Sequence, residues 1–315
     1  MTSAKPLALQ LCPYAPAMEA ALAERVDLVR WFELDAGGQA ALLAARGGEV
    51  RIACTGGHLG IADALLEALP GLALVAINGV GFDKVNLPLA AARGVGVSNT
   101  PDVLTDDVAD LAVGLVIALK RQLPQGDAHV RAGRWPQGEM PLARRVSGCR
   151  FGVLGLGRIG SAIARRLEPF GAVGHASRTA KKGPRQAFAG PVELAEWADV
   201  LVVACAANAE TAGLVDARVL AALGRDGCLV NVSRGAVVDE AALIAALEAG
   251  TIAGAALDVY ADEPQVPEAL RQADNTVLTP HVASATVECR AAMADLVLAN
   301  VDAQLAGLPL VTPVL

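Results

Sequence analysis

The sequence predicts an α/β protein built as two doubly wound parallel-sheet units. Three observations carry that expectation. Short Val- and Leu-rich runs alternate with helical patterns along the chain, as strands do when crossover helices join them. A glycine-spaced turn, Gly155-x-Gly157-x-x-Gly160, stands between one apolar run and one helical stretch. Hydrophobic residues make up 54% of the 315 residues and aromatics only 3%. The core is therefore made of Ala, Val, Leu and Ile, side chains that pack helices onto a parallel sheet. At about 150 residues per domain, the length suits two units.

The predicted strands of the first series are 7–11, 28–33, 51–54, 72–77 and 96–98. A helix over 60–69 is closed by Pro70-Gly71. The second series runs 150–154, 173–176, 200–204, 228–232, 254–259 and 276–278. Thr100-Pro101 opens a long apolar helix over 102–121, and Gly148 leads into the second sheet. Another amphipathic stretch covers 284–307. If that helix returns to the first unit, an outer domain of 1–99 and 284–315 encloses an inner one of 100–283. No repeat of fixed period is present.

Composition excludes several classes. Only 19% of residues are charged, which is too few for a disordered chain. A net charge of −7 argues against a nucleic-acid-binding surface. The most apolar helical run, 111–119, is closed by Lys120 and Arg121 and is half of the ~20 residues that a membrane span needs. The N-terminus lacks a convincing cleavage site, so no secretory signal is expected. The six cysteines, Cys12, Cys54, Cys149, Cys205, Cys228 and Cys289, show no CxxC spacing and suggest no metal site. They read as small buried hydrophobes of a protein in a reducing cytoplasm.

The glycine turn has a mechanism. Gly155 permits a tight turn, Gly157 lets a pyrophosphate approach the backbone, and Gly160 lets the following helix pack on the strand. Leu156, Arg158 and Ile159 complete that turn, and the helix N-terminus offers N–H groups and a positive dipole end. The alternative is a glycine-rich turn that binds nothing. About 20 residues further on, the next strand should end at the residue that reads the adenosine ribose. There the chain has no Asp or Glu but Ser177, Arg178 and Thr179, followed by Lys181 and Lys182. A guanidinium binds a 2′-phosphate bidentately, whereas a carboxylate repels it. The expected cofactor is thus NADPH, with NADH weaker. The alternative is a solvated basic turn.

Three polar residues follow apolar strands of the second series: Arg234, Glu263 and His281. The carboxyl ends of such strands face the ligand crevice. Together they make a kit for reducing a 2-oxo acid. Arg holds the carboxylate and polarises the carbonyl, His gives a proton to the oxygen, and Glu stabilises the imidazolium. Taken singly, each has a bland reading as a loop cap, a solvated acid or a core histidine.

With these residues in order, the chain resembles the D-isomer-specific 2-hydroxyacid dehydrogenase family along nearly its whole length. The matching stretches are 78–86 (NGVGFDKVN), 100–115 (TPDVLTDDVADLAVGL), 153–160 (VLGLGRIG), 231–243 (NVSRGAVVDEAAL), 256–264 (ALDVYADEP) and 278–286 (LTPHVASAT). The subgroup it most resembles is the NADPH-dependent hydroxypyruvate, glyoxylate and hydroxyphenylpyruvate reductases. The resemblance implies a flavodoxin-like substrate domain at both chain ends with a Rossmann nucleotide-binding domain inserted. It implies Arg234, Glu263 and His281 as catalytic, and the backbone of Asn78-Gly79-Val80-Gly81 as the cradle of the substrate carboxylate. Asp258 is implied near the nicotinamide carboxamide, and Thr105 where the family's inter-domain helix meets the cofactor. The long apolar helix over 102–119 is a candidate for burying its surface against a partner, and the resemblance implies a homodimer.

There are departures. Ala283 stands where the family often has Gly, and no second Trp comes just after Trp135, so Met140 is a candidate for lining the pocket. His58, in the glycine-rich loop 55–60, is a candidate substrate contact, weighed against an exposed structural role like that of His129 and His175. Two rivals remain at this stage: an NAD-dependent enzyme like phosphoglycerate dehydrogenase, and a non-catalytic dinucleotide-sensing module of the same fold.

Overall fold

The structure is a computed structural model that describes residues 5–178 and 184–315. The chain forms two compact units, Met1–Leu104 with Val287–Leu315, and Thr105–Thr286.

The first unit carries strands β1 (Leu7–Gln10), β2 (Asp27–Arg30), β3 (Val50–Gly56), β4 (Leu74–Asn78) and β5 (Gly96–Ser98). They form one sheet in the order β2-β1-β3-β4-β5 with every pairing parallel, the doubly wound order of flavodoxin-like folds. Side chains alternate between two buried faces. Leu7, Leu9, Val50, Ala53, Val75, Ile77 and Val97 pack on one. Ala8, Ile52, Cys54, Leu74 and Ala76 pack on the other, against Met18, Leu22, Val297 and Val301. Each fully buried Val or Leu contributes roughly 1.5–3 kcal/mol relative to exposure.

The second unit carries β6 (Arg150–Leu154), β7 (Ala172–Ala176), β8 (Gln186–Ala187), β9 (Val200–Val203), β10 (Cys228–Asn231), β11 (Gly254–Leu257) and β12 (Thr276–Leu278). Their order is β12-β11-β10-β9-β6-β7-β8, again parallel throughout. The order reverses beside β6, so a crevice opens outside the carboxyl ends of the strands there. The helix Thr105–Lys120 packs on the helix Arg158–Leu167 and on β10 to β12. Arg166 ties the two helices by ion pairs to Asp106 (2.8 Å) and Asp110 (2.5 Å).

Several elements differ from the sequence expectation. The strand expected over 28–33 is Asp27–Arg30, followed by a 3-10 turn over Trp31–Glu33. β2 pairs only with β1, whose last residue, Gln10, lies opposite Arg30, so the ladder has no partner beyond that point. The helix expected over 60–69 spans Asp63–Ala68, because Gly60 takes φ +63° and holds the chain in a loop. The helix expected over 102–121 begins at Thr105, after Asp102 at φ +70°. The final helix is Val287–Leu305. β8 was not expected: two exposed residues give no alternation to read.

Among the described residues no helix is long and apolar enough to cross a membrane, and no group of three or more His, Cys, Asp or Glu is placed to hold a metal ion. None of the six cysteines forms a disulfide.

A buried amide, beside backbone bonds such as Val314 N–H to Val97 O (2.7 Å), ties the chain end to the first unit. Asn300 Nδ2 donates to Leu296 O (2.7 Å) and Thr312 Oγ1 (2.8 Å), while its Oδ1 accepts from the backbone N–H groups of Val311 (3.0 Å) and Thr312 (3.1 Å). Thr312 Oγ1 in turn donates to Asn99 O at 2.6 Å. Asn300→Ala leaves the Val311 and Thr312 N–H groups without that acceptor. A loss of about 1–3 kcal/mol of stability is expected, read as a lowered urea midpoint. A midpoint within error of the wild type would show that the amide does not hold the terminus.

Candidate active site

The glycine turn follows β6. Gly155 has φ +93°, and a Cβ there would lie 2.6 Å from Cys205 Cα, so both conformation and space require glycine. A Cβ on Gly160 would lie 1.9 Å from Gly155 O, which is how the helix Arg158–Leu167 packs so close to its own turn. Gly157 differs: among the described residues nothing lies within 4 Å of where its Cβ would be. It is also the N-cap of that helix and, as a glycine, offers no capping side chain. Leu156 is buried, Ile159 half-buried and Arg158 exposed. An open backbone at a helix N-terminus whose N-cap is glycine fits the pyrophosphate of a dinucleotide.

β7 ends at Ala176. Ser177 Oγ lies 3.3 Å from Nδ1 of the buried His175, and the Arg178 guanidinium pairs with the Glu210 carboxylate. Thr179, Lys181 and Lys182 lie outside the described residues.

Arg234, Glu263 and His281 come together at the carboxyl ends of β10, β11 and β12. Asn231, the last residue of β10, organises the first loop. Its Nδ2 donates to Arg234 O (3.0 Å), and its Oδ1 accepts from the N–H and hydroxyl of Ser233 (both 3.1 Å). A Cβ on Gly235 would lie 1.9 Å from the Tyr260 carbonyl oxygen, so the loop carrying Arg234 packs backbone to backbone on the loop carrying Glu263.

His281 Nδ1 donates to Glu263 Oε2 at 2.7 Å, and Glu263 Oε1 accepts from the Tyr260 N–H at 3.0 Å. A carboxylate only accepts, so Nδ1 carries the hydrogen. Burial works to raise the Glu263 pKa. The hydrogen bond from His281, the Tyr260 N–H and the charges of His281 and Arg234 outweigh it, and the carboxyl sits below the usual glutamate range.

His281 has φ +52°, a conformation that costs energy for a residue with a Cβ. Asp258 holds it there. This fully buried carboxylate accepts from Thr279 Oγ1 (2.7 Å), Val282 N–H (2.8 Å) and Ala283 N–H (3.0 Å), the residues on either side of His281. Tyr260 adds bonds from its hydroxyl to Leu257 O (3.2 Å) and Thr279 O (3.0 Å). Asn231, Thr279 and Tyr260 were not singled out from sequence. The signal for the first two was available: polar residues at or just after the ends of apolar strands.

In the first unit, Asn78 ends β4, and the turn Asn78-Gly79-Val80-Gly81 is pinned by Thr100 N–H to Gly79 O (2.9 Å) and by Asn99 Nδ2 to Val80 O (2.8 Å). Its neighbour is the loop after β3. A Cβ on Gly57 would lie 2.9 Å from Gly81 O. His58 is exposed on that loop.

Thr105 is the half-buried first residue of the helix Thr105–Lys120. Trp135 is exposed in a 3-10 turn, and Met140 Sδ packs 3.9 Å from where a Gly126 Cβ would be. His129 Nε2 lies 3.1 Å from Gly138 O, a local link within the same stretch.

Residues 113–283 match the D-isomer specific 2-hydroxyacid dehydrogenase, NAD binding domain. The chain is 44% identical over 308 residues to glyoxylate/hydroxypyruvate reductase A of Arabidopsis thaliana, covering 97% of this chain and 98% of that protein. It is also 44% identical over 308 residues, with the same coverage, to hydroxyphenylpyruvate reductase of Plectranthus scutellarioides. Among solved structures, the NADPH-dependent glyoxylate/hydroxypyruvate reductase of Sinorhizobium meliloti in complex with NADP and malonate aligns with a TM-score of 0.92. Identity is 44%, over 99% of this chain and 97% of that one.

The two glycines of the turn separate folding from binding. Gly157→Ala adds a methyl to open space. It should keep the wild-type melting temperature and weaken dinucleotide binding at least about tenfold, since ~1.4 kcal/mol of lost contact suffices. Gly160→Ala drives a methyl into a backbone carbonyl and should lower the melting temperature itself. Differential scanning fluorimetry with and without cofactor reads both. A Gly157→Ala protein that bound cofactor normally would remove the turn from the site.

Proposed function

The chain belongs to the D-isomer specific 2-hydroxyacid dehydrogenase family, and from that premise we propose that it reduces a small 2-oxo acid of the glyoxylate or hydroxypyruvate type to the D-2-hydroxy acid, with NADPH preferred over NADH. The observation that carries the chemistry is the hydrogen-bonded Glu263–His281 pair, set at the strand ends of the unit that holds the glycine turn. Gly155, Leu156, Gly157, Arg158, Ile159 and Gly160 are assigned to the pyrophosphate. Ser177, Arg178 and Thr179 are assigned to the 2′-phosphate. Thr105 and Asp258 complete the proposed cofactor set, Asp258 through the loop whose N–H groups it holds.

When bound, the reduced nicotinamide supplies the hydride. The protein supplies the rest. Arg234 is assigned to the substrate's carboxylate, which a guanidinium grips at two points and an ammonium cannot. With Nδ1 committed to Glu263, His281 gives its proton to the carbonyl oxygen from Nε2. Glu263 offsets the imidazolium's charge before transfer. The turn Asn78-Gly79-Val80-Gly81 of the first unit is assigned to substrate as well, because glycines let successive N–H groups face an anion.

The assay that tests this reading is NADPH oxidation with glyoxylate, hydroxypyruvate, phenylpyruvate, 4-hydroxyphenylpyruvate and 2-ketogluconate. Turnover of the smaller acids is expected. Cofactor binding without turnover of any of them would favour a dinucleotide-sensing module instead. We place the protein in the cytoplasm, because its six cysteines are scattered through apolar runs and suit a reducing compartment.

Two variants follow from the pair. His281→Asn should lose about 10²–10⁴ in kcat while still binding NADPH. Glu263→Gln should lose less, because the acid itself remains. A loss as large as that of His281→Asn would show that Glu263 does more than hold the ring.

We assign the face formed by residues 123–142 to a second copy of the chain. Leu123 (52% exposed), Val130 (57%), Trp135 (67%) and Leu142 (96%) are all exposed along this stretch, and the helix Leu123–Arg131 buries no residue. Light scattering should report a dimer, and Leu142→Asp with Trp135→Asp should give monomer. A monomeric wild type would refute the assignment.

A further inference from the structure

Glu210 has no place in the chemistry above, yet it holds the one guanidinium assigned to the 2′-phosphate. We propose that Glu210 limits the preference for NADPH, acting as a built-in counter-anion of Arg178 that the 2′-phosphate must displace. The inference rests on the reading of Arg178 given under Proposed function.

Topology puts the two residues on either side of the glycine turn. β6 lies between β7 and β9 in the sheet. Arg178 follows β7, and Glu210 lies in the loop after β9. Their ion pair therefore reaches across the end of β6, where the Gly155 turn begins.

Glu210 is also presented on an ordered turn. Its N–H donates to Asn208 Oδ1 (2.9 Å), the Asn208 N–H donates to Thr211 Oγ1 (2.8 Å), and Thr211 Oγ1 donates to Ala206 O (2.7 Å). The backbone under the carboxylate is held, so pairing with Arg178 costs side-chain freedom alone. The side chains remain open to solvent, 67% exposed for Arg178 and 73% for Glu210. Water and salt weaken such a pair enough for another anion to replace it.

The two cofactors then face different costs. NADH has no group for Arg178 and leaves the ion pair standing. NADPH brings a phosphate of charge about −1.5 to −2, which takes Arg178 and leaves Glu210 facing a dianion. The penalty falls on NADPH alone, so Glu210 narrows the preference that Arg178 creates.

Isothermal titration of NADPH and of NADH into the wild type, Glu210→Gln, Arg178→Ala and the double variant tests this without an activity readout. Glu210→Gln should tighten NADPH about 3–10-fold at low ionic strength, with the gain shrinking as salt rises, and should raise the NADPH/NADH affinity ratio by the same factor. Most of that gain should vanish when Arg178 is already Ala. An unchanged or weaker NADPH affinity in Glu210→Gln, or equal shifts for both cofactors, would overturn the role of Glu210. Arg178→Ala distinguishes the two levels. If it weakens NADPH while Glu210→Gln is silent, the 2′-phosphate assignment stands and only the counter-anion fails. If it leaves NADPH untouched, the assignment of Arg178 falls first.

Discussion

A carboxylate with no exposed surface must have its lone pairs met inside the protein, and Asp258 meets them with the residues that flank His281. The rest of the candidate site depends on that arrangement. His281 sits at a positive φ that its side chain disfavours, and bonds on both sides of it keep the backbone there. Only with the backbone so held does Nδ1 meet Glu263 at 2.7 Å. Glu263 is fixed in turn by the Tyr260 N–H, and Tyr260 reaches back through its hydroxyl to Thr279. The loops after β11 and β12 thus behave as one hydrogen-bonded body, and the loop of Arg234 is pressed onto it at Gly235.

The sheet makes this possible without large side chains. Parallel strands place all their carboxyl ends on one edge, so β6, β10, β11 and β12 deliver the glycine turn, Arg234, Glu263 and His281 to the same side of the second unit. Small residues let the backbones approach. Gly155 meets Cys205, Gly160 meets Gly155, and Gly235 meets Tyr260, each at a distance that no Cβ would permit. A chain with 3% aromatics can build such a site because close backbone contact, rather than bulky packing, sets the positions.

What the sequence disclosed was what local rules encode. The glycine spacing, the apolar strands and the polar residues closing them depend on neighbours a few residues away, and they identified the turn at 155–160 and the residues Arg234, Glu263 and His281. Features that depend on distant partners were missed. β2 stops at Arg30 because β1 stops at Gln10, and no pattern within 28–33 records that. β8 is too short to show alternation. Thr279 acts through Asp258, 21 positions away, and Glu210 meets a residue 32 positions away. Asn300 looks like any polar residue of an amphipathic helix until the chain end folds over it.

The central claim is that the fold presets the His281 ring, with the hydrogen of Nδ1 directed at Glu263, and the proposed proton transfer is assigned to Nε2 on that ground. The ¹⁵N chemical shifts and one-bond couplings of the His281 ring, read by NMR in the uncharged state, report directly which nitrogen bears the hydrogen. The expected result is a proton on Nδ1, with that coupling shifting when Glu263 is Gln and unaffected by changes at His58 or His129. A ring protonated on Nε2 instead would contradict the hydrogen bond to Glu263, and with it the catalytic role assigned to the pair.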